Sequence, residues 1–209
     1  GFKYNKNLTI DAKNSGTLAR LILGLLIKSP KKIKIIGDKS LSKRDFSRVT
    51  TPLRKFGVKF SYKIKNKLPL TILGTQSVKA IKYFENKGSA QCKSSVMLAA
   101  LNASGTTSIK AKKSRNHTEL LFKYLKIPIK VRKAKKFDFI DIKKPKKINA
   151  FNYQIPGDIS SSAFFMVLTT LADNSKLLIK DVNINSSRVG VITILKKMGA
   201  QITLKNQKN

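Results

Sequence analysis

The chain has 209 residues, 41% of them hydrophobic, which is enough for one large or two small domains with a real core. Its 44 Lys and Arg against 10 Asp and Glu give a formal charge of +34. A single cysteine, Cys92, excludes an internal disulfide framework and fits a reducing compartment, and no apolar run approaches the ~20 residues of a membrane span.

Such basicity suits nucleic acid or an anionic membrane. The 37 lysines, however, are spread along the whole length beside abundant Ile and Asn. They read as the default solvated residue of an A+T-biased coding sequence. The seven arginines are the more informative cations, because only they carry a planar bidentate fork.

Residues 1–13 are short and polar, with an expected strand at Leu8 to Ala12. Asn14-Ser15-Gly16-Thr17 is a polar turn that runs into a helix-patterned apolar segment, Leu18 to Ile27. Asn14 and Ser15 are N-cap types, and Gly16 admits a ligand close to the backbone. A helix start offers free N–H donors and a partial positive charge to an anion, and Arg20 stands one turn in. The plain alternative is an ordinary capped helix in a core. Ile33 to Ile36 reads as a strand ending at Gly37-Asp38, and Lys39 to Asp45 as a polar loop with Arg44. Phe46, Val49, Leu53 and Phe56 form one helical stripe stopped by Gly57, and Val58 to Tyr62 alternates as a strand.

The same order recurs. Ser89 to Leu101 is a second turn and helix, Thr106 to Ala111 a strand, and Ser114-Arg115-Asn116-His117 a polar loop. Leu120, Leu121, Tyr124 and Leu125 make a helix stripe, and Ile127 to Val131 a strand. A third copy starts at Gly157-Asp158-Ile159-Ser160-Ser161. It continues with a buried helix from Ala163 to Leu171, a strand from Lys176 to Val182 and a loop ending at Arg188. Val189, Ile192, Leu195 and Met198 form its stripe, Gly199 the stop, and Gln201 to Leu204 the last strand. Arg44, Arg115 and Arg188 hold matching places, 71 and 73 residues apart. Stacked units of this size bury what one alone cannot. Leu70 to Leu73 and Phe137 to Ile142 are expected as extra strands, and the break between domains near Gln154-Ile155-Pro156.

Five motifs occur in this order: Asn14-Ser-Gly-Thr17 with Arg20, Gly37-Asp38 through Arg44, Gly88-Ser-Ala-Gln-Cys-Lys-Ser94, Ser114-Arg-Asn-His-Thr-Glu119 and Pro156-Gly-Asp-Ile-Ser-Ser161. Together they resemble the 3-phosphoshikimate 1-carboxyvinyltransferase family over nearly all of the chain. The resemblance implies an α/β (α+β) fold of repeated βαβαββ units, the inverse α/β barrel type. Residues 1–154 would be most of the first domain and 155–209 the first unit of the second. It implies transfer of the enolpyruvyl group of phosphoenolpyruvate to the 5-hydroxyl of shikimate 3-phosphate, with release of phosphate. By motif, Asn14, Gly16, Arg44 and Gln91 would meet phosphoenolpyruvate, and Ser89, Ala90, Gln91, Ser114 and Arg115 would meet shikimate 3-phosphate. Both substrates are anions, so backbone N–H groups, hydroxyls and Arg forks suit them.

The family is further expected to be cytoplasmic and monomeric when complete, with no cofactor, metal, membrane or specific nucleic-acid partner. The catalytic Asp, Glu and Lys of the family have no counterpart here, so the chain is expected to be a piece of the enzyme, inactive alone and without a catalytic residue of its own. Asp45 stands where the family usually has Pro, and it is expected to weaken the loop or draw Arg44 into an ion pair. Gly16 leaves room for glyphosate, so the intact enzyme is expected to be sensitive.

Two other readings compete. The transferase acting on UDP-N-acetylglucosamine shares the repeat but relies on a loop cysteine, whereas Cys92 follows Gln91 on a helix. A basic nucleic-acid module needs clustered cations interleaved with aromatics, whereas Phe46, Phe56 and Phe164 fall on helix stripes and read as core. His117 has no partners at metal-ligand spacing and reads as a helix cap with Glu119. Asp158 and Ser160 to Ser162 read as caps of the third helix, and Arg188 as structural or at a cleft rim.

Overall fold

The computed structural model describes residues 8–207. The chain runs β1 (Leu8–Asp11), α1 (Gly16–Leu25), β2 (Lys32–Ile36), the single-turn α2 (Lys39–Ser42), α3 (Ser47–Arg54), β3 (Lys59–Tyr62) and β4 (Leu70–Leu73). It continues with β5 (Lys82–Glu85), α4 (Ala90–Ala100), β6 (Thr106–Lys112), α5 (His117–Tyr124), β7 (Ile129–Lys133) and β8 (Phe137–Lys143). Each half forms a four-stranded sheet, ordered β1-β2-β4-β3 and β5-β6-β8-β7. In each, the first pair is parallel and the other two are antiparallel. A parallel pair needs a crossover, and α1 and α4 supply it. The repeat is therefore one βαβαββ unit wound twice.

Local sequence explains the layers. Ile33 and Ile35 on β2 and Ile109 and Ala111 on β6 are buried, while Lys34, Lys110 and Lys112 between or beside them face solvent. That alternation turns one face of each sheet onto the helices. At the centre, α1 and α4 touch directly. A Cβ on Gly24 would lie 2.2 Å from the Ser95 carbonyl oxygen, so the crossing requires glycine. Ser95 Oγ donates to the Arg20 carbonyl at 2.9 Å across the same crossing. α4 is buried on nearly every side, yet it carries Lys93, Ser94 and Ser95, and each finds a polar partner.

Several elements differ from the sequence reading. Lys39–Ser42 forms a turn of helix because Asp38 caps it, accepting from Leu41 N at 2.7 Å. β5 was not anticipated; its pairing with β6 makes it a strand.

One compact unit ends at Asn149 and the second begins at Ala150, a few residues ahead of the break expected near Pro156. The second unit contains α6 (Ile159–Leu171) and α7 (Gly190–Lys197). Neither Lys176 to Val182 nor Gln201 to Leu204 forms a strand, because among the described residues no neighbouring strand hydrogen-bonds to either. Among the described residues of the second unit, the isolated bridge Gly157–Val182 is the one strand-like pairing. Helix α6 is not buried as expected: Phe164 is 80% exposed, and Phe165, Leu168 and Leu171 also face solvent.

Candidate anion-binding site

The site is built from helix starts. Ser15 caps α1, accepting from Leu18 N at 3.1 Å, and Ser89 caps α4, accepting from Cys92 N at 3.3 Å. Asn14 Nδ2 donates to Asp38 Oδ2 at 2.5 Å, which ties the α1 turn to the cap of α2. The Leu41 amide, helped by Asn14, holds the Asp38 carboxyl below its ordinary range.

Guanidiniums gather around the buried Gly16. Arg20 Nη1 donates to the Gly16 carbonyl at 3.1 Å and to Gln91 Oε1 at 3.3 Å, with its guanidinium carbon 5.0 Å above the Phe46 ring. A Cβ on Gly16 would approach Arg20 Nη1 to 2.5 Å and Arg44 Nη1 to 3.2 Å. Desolvation lowers the Arg20 pKa, and the charges of Arg44 and Arg48 push the same way. Arg48 reaches the buried Glu85 at 3.6 Å. Arg44 is exposed, and its guanidinium takes part in no ion pair or hydrogen bond among the described residues. Asp45 does not capture it. Its carboxylate accepts from Ser47 N and Oγ at 2.7 and 2.8 Å instead, closing the turn into α3. Arg20 and Arg44, held this close with no acid in an ion pair with either among the described residues, favour an anion.

Next to them lies a cavity of about 410 Å³ lined by Gly88, Ser89, Ala90, Gln91, Ser114 and Arg115. Its floor is the start of α4, held by Glu85, whose carboxylate accepts from Lys87 N at 3.2 Å and Ser89 N at 2.9 Å. Ser114 Oγ is buried without a hydrogen-bond partner, an unsatisfied donor at the cavity wall. Gln91 joins this cavity to the arginines, because its Nε2 donates to Thr17 Oγ1 at 2.7 Å while Oε1 faces Arg20. The structure thus gathers Asn14, Gly16 and Arg44 around one helix start, and Ser89, Ala90, Gln91, Ser114 and Arg115 around the next.

Other residues fall elsewhere. Glu119 does not serve the cap of α5. It is buried and paired with Lys93 at 2.5 Å. Inside the second unit, Asp158 caps α6 through Ser160 N at 3.0 Å and binds Arg188 Nη2 at 3.1 Å, so Arg188 is spent on its own helix cap where Arg44 is open. No group of three His, Cys, Asp or Glu among the described residues is placed to hold a metal, and no helix there is long and apolar enough to cross a membrane.

A larger concavity of about 710 Å³ lies on the solvent face of the second sheet, and sequence reading missed it. There Lys110 Nζ sits 5.1 Å from the Phe84 centroid and 4.8 Å from that of Phe137, and Arg132 lies 4.1 Å above Phe139. Cations interleave with aromatics here, but they already cover the rings.

Two βαβαββ units whose helix starts carry open guanidinium and hydroxyl donors define a repeated α/β protein of the enolpyruvyl transferase type. The chain belongs to the EPSP synthase (3-phosphoshikimate 1-carboxyvinyltransferase) family, whose profile matches residues 1–209. It is 40% identical over 210 residues to the 3-phosphoshikimate 1-carboxyvinyltransferase of Thermoanaerobacter sp. (strain X514), covering 100% of this chain and 48% of that protein. With that of Ruthia magnifica subsp. Calyptogena magnifica the identity is 44% over 200 residues, 95% of this chain and 45% of the relative. A solved EPSP synthase structure from Acinetobacter baumannii superposes with a TM-score of 0.82 at 36% identity, covering 96% of this chain and 45% of that one. The chain spans about half the length of the curated relatives it matches.

Proposed function

We propose that the chain supplies the substrate-holding face of a 3-phosphoshikimate 1-carboxyvinyltransferase. In that reaction the 5-hydroxyl of shikimate 3-phosphate adds to C2 of phosphoenolpyruvate while C3 gains a proton. The tetrahedral intermediate then expels phosphate. Arg44, with Asn14 and Gly16 at the α1 start, would hold phosphoenolpyruvate, and Ser89, Ala90, Ser114 and Arg115 would hold shikimate 3-phosphate. Gln91 would face both, since its amide offers a donor and an acceptor. These groups position the reactants and offset their charge. The proton-transfer groups belong to the part of the relatives that this chain does not match.

The carrying observation is the unpaired Arg44 beside the desolvated Arg20 at a helix start. Arg44→Ala in the enzyme with both domains is expected to raise the phosphoenolpyruvate requirement at least tenfold, the loss of a charge-assisted hydrogen bond at about 1.5–3 kcal/mol. Unchanged kinetics would overturn the Arg44 assignment.

The exposed apolar side of α6 supports reading residues 155–209 as the first unit of a second domain, in which further helices pack as α4 packs on α1. In this reading the complete enzyme works as a cytoplasmic monomer and is sensitive to glyphosate, since Gly16 puts no side chain against Arg20 and Arg44.

A further inference from the structure

Lys93 is fully buried in the first turn of α4, directly beneath the cavity floor formed by Ser89, Ala90 and Gln91. Its Nζ pairs with Glu119 Oε1 at 2.5 Å and also donates to the Arg115 carbonyl at 2.9 Å. Glu119 lies in the first turn of α5, four residues beyond Arg115 in the Ser114-Arg115 wall of the same cavity. One residue after Lys93 and one before Glu119, Ser94 Oγ and Thr118 Oγ1 share a hydrogen bond of 2.7 Å. Two polar links therefore fasten the start of α4 to the start of α5, and the first also grips the loop between them.

Stability alone gives little reason for this pair. Burying a lysine and a glutamate costs desolvation on both, and well-packed apolar residues of similar volume serve as well or better. Glu119 Oε2 is even left buried without a hydrogen-bond partner, a further cost. What an apolar pair could not do is hold the Arg115 carbonyl. Anchoring that carbonyl holds the loop in which Ser114 and Arg115 line the cavity.

We propose that Lys93 and Glu119 are positioning residues for the shikimate 3-phosphate side of the site. They act through the backbone of Arg115 rather than by touching substrate. The assignment of that substrate rests on the function proposed above. The positioning itself rests only on the contacts of this chain. Because the pair is electrically neutral, its effect is geometric, and it is confined to the cavity beside α5. The Arg44 side, reached through α1 and α2, lies outside its grip.

The test uses the 209-residue chain and the double variant Lys93→Met/Glu119→Leu, which removes both charges so that neither is stranded. Amide hydrogen exchange is followed at Leu120, whose N–H bonds to the Asn116 carbonyl at 3.1 Å at the start of α5, with the β6–β8 ladder as internal reference. Exchange at Leu120 is expected to quicken at least tenfold while the ladder is unchanged. In parallel titrations, affinity for shikimate 3-phosphate is expected to fall at least tenfold and affinity for phosphoenolpyruvate to change less than twofold. Unchanged exchange at Leu120, or equal losses for both ligands, overturns the proposal. A wild-type chain that takes up no shikimate 3-phosphate would instead overturn the substrate assignment, and the exchange readout would then decide the positioning role by itself. Should the double variant not fold, Glu119→Gln, isosteric and still an acceptor, carries the same test, with an expected change of about threefold at Leu120 and no change overturning it.

Discussion

Gln91 Nε2 donates to Thr17 Oγ1 at 2.7 Å, so a side chain at the start of α4 is fastened to the start of α1. The other end of the same amide accepts from Arg20. This amide sets the spacing between the two repeats where their helix starts meet. Gln91→Leu keeps the volume and removes both bonds. It is expected to cost about 1–2 kcal/mol, since each such bond contributes roughly 0.5–1.5 kcal/mol. It should also weaken uptake of both phosphoenolpyruvate and shikimate 3-phosphate. Thermal unfolding and ligand titration check the two halves of this expectation; a loss for one ligand only would show that Gln91 does not bridge the sites.

Arg44 separates function from fold. It is exposed and unpaired, so Arg44→Ala is expected to leave the unfolding midpoint within about 0.5 kcal/mol of the parent, as surface substitutions generally do. Its effect is expected on phosphoenolpyruvate alone. A large drop in stability would mean that the guanidinium has a structural partner.

Much of this arrangement was legible in the sequence because its signals are local. Ser15 and Ser89 announce helix starts by capping chemistry, Gly57 and Gly199 mark helix ends, and the spacing of Arg44, Arg115 and Arg188 betrays the repeat. The rest depended on partners distant in the chain. β5 is a strand because it pairs with β6, and Lys176 to Val182 is not one because, among the described residues, a single bridge at Val182 is all that pairs along it. In sequence Lys93 looks like one more solvated lysine and Glu119 like a helix cap beside His117. Only the packing of α4 against α5 reveals them as a buried pair. Phe84, Phe137 and Phe139 come together with Lys110 only through sheet register.

The caps carry a pH signature. The Asp38 carboxyl is held below its ordinary value by the Leu41 amide first and Asn14 second, and that of Asp45 by the Ser47 amide and hydroxyl. A carboxyl depressed in the folded state contributes stability that is complete above its unfolded value, near 3.8, and is lost as pH falls through the folded one. The unfolding midpoint should therefore hold at pH 5–7 and decline below about pH 4. The decline should be shallower in Asp38→Asn. An identical acid limb in the variant would show that Asp38 contributes nothing to it.

The cationic face of the second sheet predicts non-selective polyanion binding. With Lys110 and Arg132 beside three phenylalanines, the chain should retain single-stranded nucleic acid at low salt. Because the contacts are to phosphate, retention should fall roughly linearly in log–log terms with salt and show no sequence preference. Mobility-shift titration across a salt series measures this. Tight, sequence-selective binding at physiological salt would favour a nucleic-acid function over the transferase reading.

The cavity between the α4 start and the Ser114-Arg115 loop is expected to recognise a phosphate carried on a shikimate ring. Calorimetric titration of the chain with shikimate 3-phosphate, and separately with shikimate, tests it most directly. One saturable site for shikimate 3-phosphate, at least tenfold weaker in Ser114→Ala/Arg115→Ala and undetectable for shikimate, is the predicted result. No saturable uptake, or equal uptake by the parent and the double variant, would contradict it.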